Sequence, residues 1–438
     1  MTATRSIFAL LVLFCCAVTP LQAAGPGQLD PGFWSDGTLE LGWNVWLYQV
    51  GLRSDGGIVA LEGDRTEVVW DNALSLYNTK VRDAMGGSAV TDDDRLVTVR
   101  NVRKRDGSLC LQVRRFETDL TPDATFGTGG AAIGHCLTGI ADSNPGFDVN
   151  QVAIGRAGDI YIVGRVPSGA AYNSPVRSFL AVFSADGGKS KYVSPVQFTG
   201  QVPPPPASSL TSIVVRPEGG GGETLWVAGW YSHVDIGGSV GVDAFAIARL
   251  DTAGNLAPGF GPPVRFVGAG GSSLGFWVRL ALAPGGGVYV AGALLPDDAI
   301  NVFELEGDGS RSTTFGVNGM TRFDFAPGAR SYLCDLATKP GRSGGLYVYG
   351  ASVPDDGSLR SYAVRAIDGN GHTDTAFHGS GYPGNSLLPP PPTAELAQGL
   401  RLLEGGILVR DDKLLLGEFY YGGASPAQYW SRLTQLQR

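Results

Sequence analysis

Short apolar runs alternate along this chain with clusters of Gly, Asp, Pro and Ser, and seven of the runs share one form. Each follows a turn, holds four or five apolar residues and often ends in Gly. The copies are Ile58-Val59-Ala60-Leu61, Leu96-Val97-Thr98-Val99, Ile160-Tyr161-Ile162-Val163-Gly164, Leu225-Trp226-Val227-Ala228-Gly229, Val288-Tyr289-Val290-Ala291-Gly292, Leu346-Tyr347-Val348-Tyr349-Gly350 and Leu414-Leu415-Leu416-Gly417. Their first residues stand roughly 60 positions apart, except that Ile58 and Leu96 are closer. Apolar residues at consecutive rather than alternate positions predict strands covered on both faces.

A second element recurs between these runs. Strands with a central Arg or Phe, at 111–116, 179–183, 245–250, 302–305, 362–367 and 429–433, are predicted to lead into polar turns. Four of those turns end in Phe126-Gly127, Phe260-Gly261, Phe315-Gly316 and Phe377-His378-Gly379, and Leu29-Asp30-Pro31-Gly32-Phe33 has the same composition. Pro fixes φ and Gly permits φ > 0, which suits a tight reversal capped by a buried aromatic.

The unit from Met320 to Ile367 holds four predicted strands, at 320–325, 332–337, 346–349 and 362–367. Repeated four-stranded antiparallel units predict an all-β fold, a single β-propeller of about seven four-stranded blades, with six and eight left open because residues 63–95 are contracted. The chain begins at the Phe33 turn and stops just after Tyr429-Trp430-Ser431-Arg432-Leu433. In the internal units that strand immediately precedes that turn, so the two ends are predicted to complete one shared blade and close the ring. Pro203–Pro206 and Pro389–Pro392 are three units apart and read as stiff loops between the first and second strands of a blade.

Residues 1–24 read as a secretory leader, with Arg5, an apolar stretch from Ile7 to Val18, a break at Thr19-Pro20 and small residues for cleavage at Ala23 or Ala24. A lipoprotein reading through Cys15 or Cys16 is opposed by the bulky Phe14. The propeller domain then covers residues 25–438, and the expected location is secreted or periplasmic in a bacterium. Without Arg5 the 33 basic residues fall one further behind the 41 acidic ones, a net charge near −9. Such a surface repels phosphate polymers and anionic lipid in bulk, and neither a basic patch nor an Arg-rich helix offsets it, so nucleic acid and membrane are not expected partners. Of the three cysteines left, Cys110 and Cys136 are close enough on successive strands for a disulfide, and buried thiols are the alternative.

The same residues resemble the bacterial delta-60 repeat. Its pattern runs Leu-Asp-x-x-Phe-Gly, a strand, Pro-Asp-Gly, a hydrophobic strand ending in Ala-Gly, then an Arg-Leu strand. The match is most specific at Val215-Arg216-Pro217-Glu218-Gly219, Val227-Ala228-Gly229, Ala248-Arg249-Leu250 and Phe260-Gly261. The resemblance implies a propeller-like, extracytoplasmic protein and brings no catalytic residues.

Candidate chemistry is sparse, and no catalytic, cofactor or metal residue is assigned. His135, His233, His372 and His378 have no helical zinc spacing, and although His372 and His378 flank one turn with Asp374, solvated loop residues are the preferred reading. Asp368-Gly369-Asn370-Gly371-His372-Thr373-Asp374 begins like a calcium loop but lacks the bidentate second half, so it reads as a polar turn, as do Asp92–Asp94, Asp297-Asp298, Asp355-Asp356 and Asp411-Asp412. There is no placed Gly-x-Ser-x-Gly elbow. His135 and Cys136 are adjacent on a strand and point to opposite faces. Gly219–Gly222 lacks the Lys and helix of a phosphate loop. Trp226, Trp230, Tyr231, Tyr289, Tyr347 and Tyr349 are expected in the core rather than on a carbohydrate platform. The expected role is a non-catalytic, monomeric binding scaffold for an unknown protein or carbohydrate at the cell envelope, without cofactors. A hydrolase or lyase with acidic loops at the central channel is the alternative, and a structural envelope subunit a third reading. Convergence of Asp92–Asp94, Asp355, Asp356, His372 and His378 in one funnel favours the enzyme, and scatter favours binding.

Overall fold

The computed structural model describes residues 28–438 apart from 32, 34–37, 44–46, 56, 63–64, 71–75, 78–86, 140–145, 168–175, 194–206, 235–239, 262–263, 268–277, 295–298, 342, 355–360, 380–383, 389–400, 403–405, 411–412 and 423–427. Residues 1–24, expected to be a secretory leader, lie outside the described residues. Among them the chain forms only strands, grouped in seven antiparallel sheets.

Strand β1 (Thr38–Trp43) comes first but belongs to the last sheet. The first blade is then β2 (Leu47–Leu52), β3 (Gly57–Glu62), β4 (Arg65–Trp70) and β5 (Leu76–Tyr77). The second is β6 (Ser88–Val90), β7 (Leu96–Arg103), β8 (Leu109–Phe116) and β9 (Ala131–Leu137). The third is β10 (Asp148–Ile154), β11 (Ile160–Pro167), β12 (Val176–Phe183) and β13 (Ser190–Val193), and the fourth β14 (Ala207–Pro217), β15 (Glu223–Val234), β16 (Val240–Asp251) and β17 (Val264–Val267). The fifth is β18 (Val278–Leu282), β19 (Val288–Leu294), β20 (Ala299–Leu305) and β21 (Met320–Phe323). The sixth is β22 (Ala329–Thr338), β23 (Gly345–Pro354), β24 (Ser361–Asp368) and β25 (Asn385–Leu387). The seventh has an inner edge made of β26 (Arg401–Leu402) and β27 (Ile407–Arg410), then β28 (Lys413–Gly422), β29 (Gln428–Gln437) and, outermost, β1.

The seven apolar runs are the second strands of the seven blades, and their consecutive hydrophobicity has a direct cause. In β15, Leu225 and Val227 enter one buried cluster with the third blade, whereas Trp226 and Ala228 enter another with the fifth. Successive residues point to opposite faces, so a strand sandwiched between two sheets needs both parities apolar. The buried residues form seven clusters, one in each gap between neighbouring blades, including the gap from seventh to first, where Phe33, Leu39, Leu415 and Leu433 meet Val50 and Ile58. The innermost strands touch in a complete circuit, β2, β6, β10, β14, β18, β22, β27 and back to β2.

Closure joins the two ends of the chain as expected. β1 pairs with β29 through Thr38↔Thr434, Leu39↔Leu433 and Trp43↔Trp430, and Asp30 N donates to Gln435 O at 2.9 Å. The blade boundary is shifted by one strand from the sequence expectation. The strand beginning at Met320 pairs with β20 and is the outer strand of the fifth blade, so the sixth begins at β22 and ends at β25. The turn between third and fourth strands is locked by its own buried side chains, which keeps that hairpin in one sheet, and the chain crosses to the next sheet only afterwards. The proline runs accordingly stand between the last strand of one blade and the first of the next, outside the described residues, and not between first and second strands. The short interval from Ile58 to Leu96 has a local reason, because only residues 63–64 join β3 to β4 and β5 is two residues long.

Candidate functional site

Strand alternation gives the ring two unlike ends. Turns joining first to second and third to fourth strands lie at one end, and those joining second to third strands, with the blade-to-blade connections, lie at the other.

The first end is repetitive and bonded to itself. The Asp of the Phe-Gly turn is a clasp. Asp123, fully buried, takes Arg115 Nε at 2.5 Å, Arg95 Nη1 at 3.3 Å and the Thr125 amide at 2.8 Å. Asp374 accepts from Lys339 Nζ at 2.6 Å and the Ala376 amide at 3.0 Å. Asp30 accepts from Lys413 Nζ at 2.7 Å and Gln435 Nε2 at 2.6 Å, so the closing blade rebuilds the same clasp from both ends of the chain. Burial pushes the Asp123 carboxyl up, but hydrogen bonds from Thr125 and Arg115 together with the guanidinium charge outweigh this and hold it well below the usual range. The Phe of one turn then meets a turn glycine of the next blade. A Cβ on Gly309, where φ is 88°, would lie 2.6 Å from the Phe260 ring, and one on Gly187, φ 71°, 3.0 Å from Phe126. Only glycine fits such a position.

The acids singled out in the sequence are largely engaged at this end. Asp93 accepts from Thr91 Oγ1 at 2.5 Å and lies 3.4 Å from Arg95, while Asp94 takes the Ser54 amide at 2.6 Å from the first blade. Asp368 accepts from the Asn370 and His372 amides at 2.9 and 2.8 Å and so closes its own turn. His372 is exposed and 3.8 Å from Asp368, and His378 is also exposed. Asp297-Asp298, Asp355-Asp356 and Asp411-Asp412 lie outside the described residues. Asp92–Asp94 are in a turn of the second blade and His372 and His378 flank a turn of the sixth, and whether Asp355 and Asp356 join either group falls outside the described residues. Among the described residues no three His, Cys, Asp or Glu side chains group as metal ligands.

The remaining candidates also resolve into structure. Cys110 and Cys136 form a disulfide across β8 and β9, and Cys334 is a buried thiol. His135 packs edge-on against Phe183 at 5.3 Å, and burial pushes its imidazole down to about 4. The side chain of His233 lies outside the described residues. Gly219–Gly222 is the β14–β15 turn, with Gly220 and Gly221 at positive φ. Trp226, Trp230, Tyr231, Tyr289, Tyr347 and Tyr349 are all buried between blades.

The inner strands carry a polar belt that the sequence did not reveal. Gln151, Ser212 and Asp335 occupy equivalent register positions beside a bulge in β10, β14 and β22. Each accepts an amide of the next blade: Ile213 at 2.8 Å, Leu280 at 3.1 Å and Ile407 at 3.2 Å. In the fifth blade Arg279 has this position and donates to Thr211 O on one side and Cys334 O on the other, at 2.8 and 2.9 Å. Burial raises the Asp335 carboxyl, with Arg279 Nε 3.9 Å away opposing the shift. Side chains that line a propeller's axis are here bonds between blades.

The second blade departs from its repeats. Its face toward the first blade presents Thr98, Arg100, Gln112 and Arg114, where the register of the third and fourth blades places Ile162, Gly164, Phe179 and Ala181, and Val227, Gly229, Ala246 and Ala248. Gln112 Oε1 holds Arg100 Nε at 2.5 Å. The β7–β8 hairpin then ends in Arg103, Lys104 and Arg105, all exposed, while Asp92–Asp94, Glu117, Asp119 and Asp123 are at the other end of the same sheet. Three exposed bases thus stand together at one end of this sheet and the acids at the other. Net charge averages over the chain, and the segregation emerges only when strand direction sends bases and acids to opposite ends.

No family model and no curated protein matches this chain. Solved structures do resemble it in part. The GH93 α-L-arabinofuranosidase of Fusarium graminearum in complex with arabinobiose shares 11% identity at a TM-score of 0.43, covering 74% of this chain and 93% of that one. The Hadza microbial sialidase Hz136 shares 13% at 0.41, over 86% and 73%. The Nup133 β-propeller domain of Vanderwaltozyma polyspora shares 9% at 0.33, over 67% and 77%. The architecture stands on the sheet order and the seven gap clusters, and the activities in those names stay with those proteins.

Proposed function

We propose that the chain is an exported, non-catalytic propeller that binds a protein or glycan at the cell envelope, through the end of the ring where connections differ from blade to blade. The observation that carries this is the fate of the acids. Asp30, Asp93, Asp94, Asp123, Asp335, Asp368 and Asp374 each accept hydrogen bonds that close a turn, clasp a hairpin or tie two blades. A carboxylate so engaged is a poor general acid or base, because its proton affinity is set by structural partners. The opposite end varies in length, from residues 63–64 between β3 and β4 to residues 194–206 between β13 and β14. A rigid ring with unlike connections suits recognition.

Export rests on the leader reading and on the Cys110–Cys136 bridge, which persists in an oxidising compartment. Membership of the delta-60 repeat family belongs to the same proposal. The test is a pull-down of envelope components and a glycan array with the mature chain, beside a panel of glycosidase and lyase substrates. Specific capture with no turnover is expected; turnover with blank binding arms would establish the hydrolase reading instead. Intact mass should place the N-terminus near residue 25, and alkylation after denaturation without reductant should label one thiol, Cys334.

A further inference from the structure

We infer that the basic tip of the β7–β8 hairpin is a docking site for an acidic, uronate-bearing polysaccharide. This deepens the binding reading by naming the ligand class. Three consecutive cations, Arg103, Lys104 and Arg105, are exposed at the end of the ring where connections vary. The one acid in the turn, Asp106, accepts the Ser108 amide at 2.9 Å and the Ser108 hydroxyl at 2.6 Å and interacts with the charge of Lys104, so the three cations still outnumber it at the tip. The strand pair behind the tip is stiff, with Cys110 bridged to Cys136 and Asn101 exchanging bonds with Phe147 N and O at 3.2 and 2.8 Å. Arg103 Nη1 donates to Gly107 O at 2.8 Å, which pins the base of the tip. Cations on a rigid hairpin lose little freedom when they meet an anion.

The choice of ligand follows from what surrounds the cations. Leu109 and Cys110 are buried, and no large apolar side chain is exposed on the described hairpin, so the apolar centre of a protein interface is missing. A lipid surface or a nucleic acid duplex would bring broad negative charge against a chain that is itself near −9. At about 0.1 M salt, charges are screened beyond roughly 10 Å. The tip therefore attracts what touches it, and the distant acidic turns repel only what is wide enough to reach them. A slim hydrated polymer with one carboxylate per sugar satisfies both conditions, and Arg presents a planar fork that matches a carboxylate.

The experiment is affinity electrophoresis and calorimetry of the mature chain with polygalacturonate. Parallel arms use fully methyl-esterified polygalacturonate, poly-glutamate, and vesicles of phosphatidylglycerol in phosphatidylcholine. Binding to polygalacturonate that weakens with salt, with no binding in the other three arms, is expected. The double variant Lys104→Glu, Arg105→Glu should bind about tenfold more weakly, because two exposed attractions become repulsions. Lys189→Glu, in an exposed turn at the other end, should bind as wild type. Thermal unfolding of both variants checks that the fold is intact. Equal binding of poly-glutamate or vesicles, insensitivity to the double variant, or no binding of polygalacturonate would overturn the inference. Capture of some other glycan or protein in that last case would leave the scaffold reading standing, whereas new reducing ends from polygalacturonate would overturn the non-catalytic reading alone.

Discussion

Replacing Phe33 with Ala removes a fully buried ring from the gap that the two ends of the chain close together. The ring packs with Leu39, Leu415 and Leu433 of the seventh blade and with Val50 and Ile58 of the first. Truncating a buried Phe to Ala costs about 3 to 5 kcal/mol, from lost transfer energy plus the cavity left behind. The neighbours are held in strands on either side and have little room to collapse, which argues for the upper half of that range. A domain is stable by about 5 to 15 kcal/mol in total, so the variant should unfold at visibly lower urea with an unchanged m-value. Tryptophan fluorescence during equilibrium unfolding measures this. A double-mutant cycle with Leu433→Ala separates closure from a purely local effect, because residues in contact couple by about 0.5 kcal/mol or more. A cost below about 1 kcal/mol, or strict additivity with Leu433→Ala, would refute the claim that the N-terminal segment fills the last gap against the C-terminal strand.

Gly309→Ala should destabilise by about 1 to 3 kcal/mol, since its Cβ meets Phe260 at 2.6 Å and φ is 88°, whereas Gly285→Ala, with nothing within 4 Å, should change stability by less than about 1 kcal/mol; thermal unfolding of the pair checks the blade-to-blade contact. Asp123 has a lowered folded pKa, so its clasp contributes fully above the unfolded value of about 3.9 and is lost as pH falls below it. Stability measured from pH 6 down to pH 2 should therefore drop less in Asp123→Asn than in the wild type. At pH 7 the variant should be weaker by about 3 kcal/mol, because Arg115 loses a buried partner. A parallel acid profile for the two proteins would remove the clasp from the account.

Spacing and turn composition along the chain specify the repeat and the type of strand. Consecutive apolar residues such as Leu225-Trp226-Val227-Ala228 require cover on both faces. Those features are local, written in spacing and turn composition. Where each blade begins was not legible, because the strand at Met320 looks alike whether it pairs backward or forward, and only register assigns it to β20. The roles of the acids were equally hidden. Asp123 and Asp92 are both turn acids in the sequence, but only folding buries Asp123 beneath Arg95 and Arg115. Spacing in the sequence allows either a bridge or two buried thiols, and the register of β8 on β9, which sets Cys110 opposite Cys136, makes it a disulfide. The polar belt at Gln151, Ser212, Arg279 and Asp335 depends on residues from different blades being brought together, and the run Arg103-Lys104-Arg105, although contiguous in the chain, is set apart from the acids of its own sheet only by strand direction. Hydrophobic period is a property of neighbours along the chain, whereas pairing partners and charge geography are properties of register and closure, which no single repeat contains.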